Sequence, residues 1–189
     1  MFRSVVSRQQ LEGFGFLVAF TLCIPIANWM LGNVGTVCPP QSPCLIPVAP
    51  GLMAPSGVLM IGLALVLRDL VQRRLGFVWA VVAILIGAGI SWFISPPFLV
   101  IASVAAFTLS ELADLAVYTP LQKRGLITAV VASSVVGLVI DSVVFLQLAF
   151  GSLDFLAGQI VGKGWMVLLA IPVIWLLRER DKRLEIVAA

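Results

Sequence analysis

Four ionisable residues, Glu111, Asp114, Asp141 and Lys163, sit inside long apolar stretches. A charge at the centre of a bilayer costs roughly 2.5 to 3.5 kcal/mol, so such groups are kept where they face a protected polar cavity. Phe107, Glu111, Asp114 and Tyr118 recur at i, i+4, i+7 and i+11, which puts two carboxylates and two aromatic rings on one helical stripe. Ser134, Gly137 and Asp141 share a face of the next stretch, and Gln159 and Lys163 share one of the last. Asn28, Trp92 and Gln147, near the outer ends of their stretches, could complete a mouth. Three carboxylates facing one lysine leave acceptors in excess, either holding protons or reserved for a donor-rich ligand. The plainer alternative is that Glu111 or Asp114 pairs with Lys163 or Ser110 and only locks helix packing. Trp92, like Trp165, also suits an interfacial belt.

The elements that must position these residues follow from composition. Hydrophobic residues make up 61% of the 189 and charged residues only 11%, against about 25% charged in soluble domains. The reading is an all-α integral membrane protein. One crossing takes about 20 apolar residues, and the pattern predicts six in a single transmembrane domain, at residues 11–31, 56–72, 77–94, 97–119, 125–150 and 155–177. The first follows Arg3 and Arg8 and is too long for a signal-peptide core, so it is expected to stay as a span. Arg3, Arg8, Arg68, Arg73, Arg74, Lys123, Arg124, Arg178, Arg180, Lys182 and Arg183 all fall on one side, and only Lys163 lies within a span. The positive-inside rule makes that side cytoplasmic and places both termini there. Arg68 and Asp69 are expected as an ion pair at the cytoplasmic end of the second helix. The net charge of +3 reflects these anchors rather than affinity for nucleic acid.

Residues 32–55 form the long external connection, and Pro39, Pro40, Pro43, Pro47, Pro50 and Pro55 forbid a continuous helix there. Its apolar content argues against a solvated coil. It is read as a lid over an outward-facing cavity, with an inert cap on the helix ends as the alternative. Cys38 and Cys44 lie in it on the oxidising side, where they either pair or stay free; Cys23 is read as a packing residue. Gly158 and Gly162 match the small-xxx-small spacing that lets a neighbouring helix approach closely.

Ala54-Pro55-Ser56-Gly57, the Arg68-Asp69 pair in Gly62 to Gln72, Ser110-Glu111 with Asp114 and Tyr118, and then Ser133-Ser134, Asp141, Gly158-Gln159-Ile160 and Lys163 together resemble the VUT family of queuosine-precursor or vitamin uptake transporters. The likeness runs from about Pro55 to Arg178 and rests on the order of these pieces rather than on any one. It implies a six-helix bundle similar to the substrate-binding (S) components of energy-coupling-factor transporters, in a bacterial inner membrane, taking up 7-cyano-7-deazaguanine or its aminomethyl relative. It implies no enzyme, cofactor or metal; the partners are the small molecule and the lipid bilayer, with no nucleic acid, an ATPase module unexpected and a homodimer left open.

Such a base carries N1–H and an exocyclic amino group side by side, which a carboxylate accepts in a fork. Glu111, Asp114 or Asp141 could supply that fork. Lys163, Gln159 and Asn28 could donate to the oxygen and nitrile, and Phe107, Tyr118 or Trp92 could stack on the ring. The alternatives are a subunit serving a separate ATPase and an intramembrane aspartyl enzyme. The second lacks the sequence contexts of aspartyl proteases, and the chain has no histidine.

Overall fold

The computed structural model describes residues 2–40 and 42–183, with side chains from Arg8 onward. Arg3, one of the cations counted above, has its side chain outside the described residues. Six helices and one hairpin follow in order: α1 (Phe2–Asn33), β1 (Leu45–Ala49), β2 (Leu52–Pro55), α2 (Val58–Leu75), α3 (Phe77–Ile94), α4 (Val100–Leu121), α5 (Leu126–Phe150) and α6 (Leu156–Arg183). All six expected segments are helices, and the chain is mostly helical. Pro25, Pro120 and Pro172 lie inside α1, α4 and α6, as spanning helices tolerate when neighbours re-satisfy the freed backbone groups. Gly76 at φ 92° turns α2 into α3, and Gly151 at φ 64° ends α5 with its N–H on the Gln147 carbonyl, a left-handed cap that glycine adopts without strain.

The all-α expectation needs one correction. β1 and β2 pair antiparallel with Leu45 opposite Pro55 and Ile46 opposite Ala54, turning through Gly51 at φ 74°. Two short strands satisfy one another's backbone where the prolines exclude a helix. Cys38 and Cys44 form a disulfide just before β1. The hairpin is fastened on both flanks. Cys44 N–H donates to the Leu31 carbonyl at 2.8 Å and Ser56 Oγ to Met30 O at 2.7 Å, while Trp165 Nε1 on α6 donates to Val48 O at 2.9 Å. Gly158 and Gly162 serve this junction: a Cβ on Gly158 would strike the Met53 carbonyl, and one on Gly162 would meet Val58 and Val48. The small-residue spacing therefore seats the hairpin and the start of α2 on α6.

Among the described residues, five helices are long and apolar enough to cross a membrane: α1 from Arg8, α3, α4, α5 and α6. The exception among the six is α2, whose 18 residues include Arg68, Asp69, Arg73 and Arg74. Its place explains how it carries them. α2 packs against every other helix and belongs to both apolar cores, one with Phe20, Ile24, Ala83 and Phe107 and the other with Tyr118, Ala129, Leu138 and Ile174. A central helix meets protein rather than lipid, so its polar groups need internal partners only.

At the end opposite the hairpin, ions clamp α1, α2 and α6 together. Asp181 accepts from Arg74 at 2.7 Å and 3.0 Å and from Arg73 at 2.7 Å and 3.0 Å; Glu12 pairs with Arg74 at 3.2 Å and Arg180 at 2.5 Å. Burial pushes the Asp181 carboxyl up, but the hydrogen bonds from Arg74 and Arg73 outweigh it and hold it below the usual carboxylate range. A depressed folded value means the contribution is complete above the unfolded carboxylate value of about 3.9 and is lost as pH falls through the lower folded one. Asp181→Asn is expected to cost about 1.5 to 3 kcal/mol, seen as a lower midpoint of thermal unfolding in detergent. The gap between wild type and variant should stay constant from neutral pH to about pH 4; a gap that closes near neutrality contradicts this account of the clamp.

Candidate ligand cavity and buried charge cluster

Below the hairpin a cleft of about 540 Å³, counted out to its open mouth, enters the bundle. α1 supplies Asn28, the α2 start Val58 and Ile61, α3 Ser91, α4 Ser103 and Phe107, α5 Asp141 and Phe145, and α6 Gln159 and Lys163. The wall is apolar with a few polar groups placed on it. Lys163 Nζ donates to Asp141 Oδ2 at 2.6 Å, Gln159 Oε1 at 2.6 Å and Ser142 Oγ at 2.7 Å, which uses all three of its protons. It reaches them because Gly62 lets the α6 backbone come close: a Cβ there would lie 2.5 Å from the Lys163 carbonyl. Asn28 gives its amide to the Ile24 carbonyl at 3.0 Å, leaving a buried Oδ1 without a partner. Gln159 accepts from Lys163 and donates to no described group.

Of the expected site residues, Asn28, Phe107, Asp141, Gln159 and Lys163 come together in this cleft. Four do not. Trp92 is 57% exposed on the outer face of α3, as a residue of an interfacial belt would be, and Gln147 is exposed as well. Glu111, Asp114 and Tyr118 are buried away from the cleft wall around Arg68, which is fully buried. Here the expectation of a cytoplasmic Arg68–Asp69 pair is corrected. Arg68 is the centre of an internal cluster, with Asp69 Oδ1 at 2.9 Å, Glu111 Oε2 at 3.2 Å, Asp114 Oδ1 in contact and the Tyr118 ring 5.8 Å from the guanidinium carbon. Gln72 accepts from Arg68 at 3.1 Å, and Ser133 on α5 donates to Asp69 Oδ2 at 2.7 Å. Seven residues separate Arg68 from Ile61, about 10 Å along α2, so the cluster lies below the cleft. Gly137 brings α5 against it, since a Cβ there would stand 3.2 Å from Asp114.

Phe145 and the two serines were missed in sequence. Phe145 lies four residues past Asp141, on the same face, and that spacing was the available signal; Ser91 and Ser103 carry none.

Residues 90–177 match the family model described as "Putative vitamin uptake transporter". Over that stretch, just under half of its length, the chain is similar to the VUT family. No curated protein and no solved structure matches the chain. The match covers Phe107, Asp141, Phe145, Gln159 and Lys163 of the cleft and Glu111 and Asp114 of the cluster, whereas Asn28 and Arg68 lie before it. This likeness and the several apolar helices support a multi-pass membrane protein.

The Asp141–Lys163 pair should show strong coupling. Removing one partner strands the other charge in a largely dry site, at about 3 to 5 kcal/mol. Asp141→Asn combined with Lys163→Gln should cost clearly less than the two single costs added, read from unfolding midpoints in detergent; additive costs would mean that the two groups are independent.

Proposed function

We propose that this protein is an uptake transporter for a queuosine precursor, 7-cyano-7-deazaguanine or 7-aminomethyl-7-deazaguanine, bound in the cleft beneath the hairpin. The observation that carries the reading is the cleft's combination of a free buried acceptor, Asn28 Oδ1, with a carboxylate, Asp141, and a spare amide donor, Gln159. A flat base with adjacent N–H donors and a carbonyl acceptor complements that set, and Phe107 and Phe145 offer aromatic walls for its faces. Among the described residues no arginine lines the cleft, which suits a free base better than a nucleotide.

In this reading α2 is a sixth span, shielded by the other five, and the chain forms one transmembrane unit of the kind found in energy-coupling S components. The positive-inside rule sets the clamp end and both termini in the cytoplasm of a bacterial cell and the hairpin outside its inner membrane. The cleft then opens outward, while the Arg74–Asp181–Glu12 clamp closes the inner ends of α1, α2 and α6. Release inward requires rocking of helices that parts this clamp. The chain acts as a transporter rather than an enzyme, and without an ATPase module; co-purification of an ATPase would favour the subunit alternative. Its partners are the deazaguanine and the lipid, not nucleic acid, and a second copy is not required to complete the cleft.

Direct binding to purified protein tests the reading. 7-Cyano-7-deazaguanine should bind more tightly than riboflavin, biotin or guanine. Asp141→Asn and Asn28→Ala should each weaken binding about 10- to 100-fold, the worth of one hydrogen bond to a charged or desolvated group. Equal affinity for riboflavin, or wild-type affinity in both variants, would remove the assignment.

A further inference from the structure

The Arg68 cluster takes no part in the cleft, yet it carries an unbalanced set of charges. One guanidinium faces the carboxyls of Asp69, Glu111 and Asp114, all at most 1% exposed. Fully ionised, the set would hold two uncompensated negative charges in the interior, where an unpaired ion costs several kcal/mol. The neighbours do not supply the missing charge. On α5 the nearest acid, Asp141, is matched by Lys163 from α6; α1 offers only Cys23, and α4 adds Tyr118, which is neutral at ordinary pH. Arg73, next along α2, is spent on Asp181. Among the described residues no group of acidic and sulfur side chains is arranged to hold a metal ion.

Three further observations point to a proton. Asp69 and Asp114 both contact the one Arg68 guanidinium, Asp69 Oδ1 at Nη1 and Asp114 Oδ1 at Nη2, and two carboxylates crowded at one site favour a proton on one of them. Asp114 Oδ2, fully buried, accepts no hydrogen bond from any donor. The buried Tyr118 hydroxyl, on the ring beside Arg68, is likewise without a partner, polar capacity that an all-ionised, static cluster would leave unexplained.

We infer that the Arg68–Asp69–Glu111–Asp114 cluster is a proton-binding site, separate from the substrate cleft, whose proton enters the cell with each substrate molecule. The proton is taken up by the Asp69–Asp114 pair from the outer side and released to the inner side, so each cycle carries one positive charge inward and no other bond changes. Contact between the two sites runs through α4: Ser110, beside Glu111, reaches Asp141 Oδ1 at 3.5 Å, and Phe107 lies one turn above Glu111. This inference rests on the uptake reading for its direction, but not for the presence of the proton.

Two measurements test it separately. In infrared difference spectra of purified protein at neutral pH, wild type minus Asp114→Asn should show the carbonyl stretch of a protonated, buried carboxylic acid; Glu111→Gln gives a second difference should the first variant fail to fold. Absence of that band in both differences overturns the site whatever the substrate is. In proteoliposomes, an inside-alkaline gradient of one pH unit should concentrate 7-cyano-7-deazaguanine about tenfold, one proton's worth at 1.36 kcal/mol per pH unit. Asp114→Asn should keep substrate exchange and lose the accumulation. Wild-type exchange without gradient-driven accumulation, or accumulation that follows a sodium gradient instead, overturns the coupling. A band present with no 7-cyano-7-deazaguanine exchange in wild type refutes the substrate assignment and leaves the proton site standing.

Discussion

A single buried guanidinium sets the arrangement of the bundle. Arg68 cannot shed its proton at any accessible pH, and at mid-depth it cannot face lipid. Its helix must therefore be the one that the other helices surround, and carboxylates must reach it from outside α2. α4 supplies Glu111 and Asp114; α5 holds Asp69 in place through Ser133 and approaches closely because residue 137 is glycine. Bidentate, planar geometry lets one arginine engage several carboxyls at once, which a lysine ammonium would not do as well. The Lys163 site is built differently: a compact ammonium with three acceptors, one from its own helix and two from α5, at the edge of a cleft.

Three polar tiers follow one another along α2: the cleft near Ile61, the Arg68 cluster about two turns below, and the ion clamp at Arg73 and Arg74. Apolar layers separate them, Leu65 lying between the first and second tiers and Leu70 and Val71 between the second and third, all buried. Close approach is arranged by glycine at each level where helices must meet around charge. Gly62 admits the Lys163 backbone, Gly87 admits the Phe107 ring, and Gly137 admits Asp114. Alanine at Gly62 or Gly137 would push apart helices whose polar groups have to touch, and at Gly87 it would displace the Phe107 ring.

Much of this was legible in the sequence, and what was not has a physical cause. Apolar run length located the six helices, and their polar positions at helical spacing grouped Gln159 with Lys163 correctly. Periodicity says which residues share a face but not which face a neighbour presents, so Glu111 and Asp114 were aimed at a cavity when they point at an arginine. Arg68 itself was misplaced because the positive-inside rule assumes that a cation near a helix end belongs to the interface. It fails for a helix wrapped by five others, whose charges meet protein. Six prolines correctly excluded a helix between residues 32 and 55, but the strand pairing around Gly51 rests on contacts to α1 and α6 that no local pattern records. Depth placed Trp92 either at the mouth or in an interfacial belt, and only the second agrees with its exposure; depth does not fix azimuth.

The two charged sites share a position that bears on transport. α1, α2 and α6 are joined at one end by the clamp, and α4 packs along α5. The Lys163–Asp141 pair connects α6 to α5, and the Arg68 cluster connects α2 to α4 and α5, so both lie on the seam between these two groups of helices. A ligand that competes for Asp141, or a proton that cancels one carboxylate beside Arg68, changes the attraction across that seam and leaves packing within each group intact. A ligand shifts a conformational equilibrium only through such a difference in interaction between the two states. Under the proposed function, charges at the seam are the places where substrate and proton would have leverage, whereas the same charges within either group would only stiffen it.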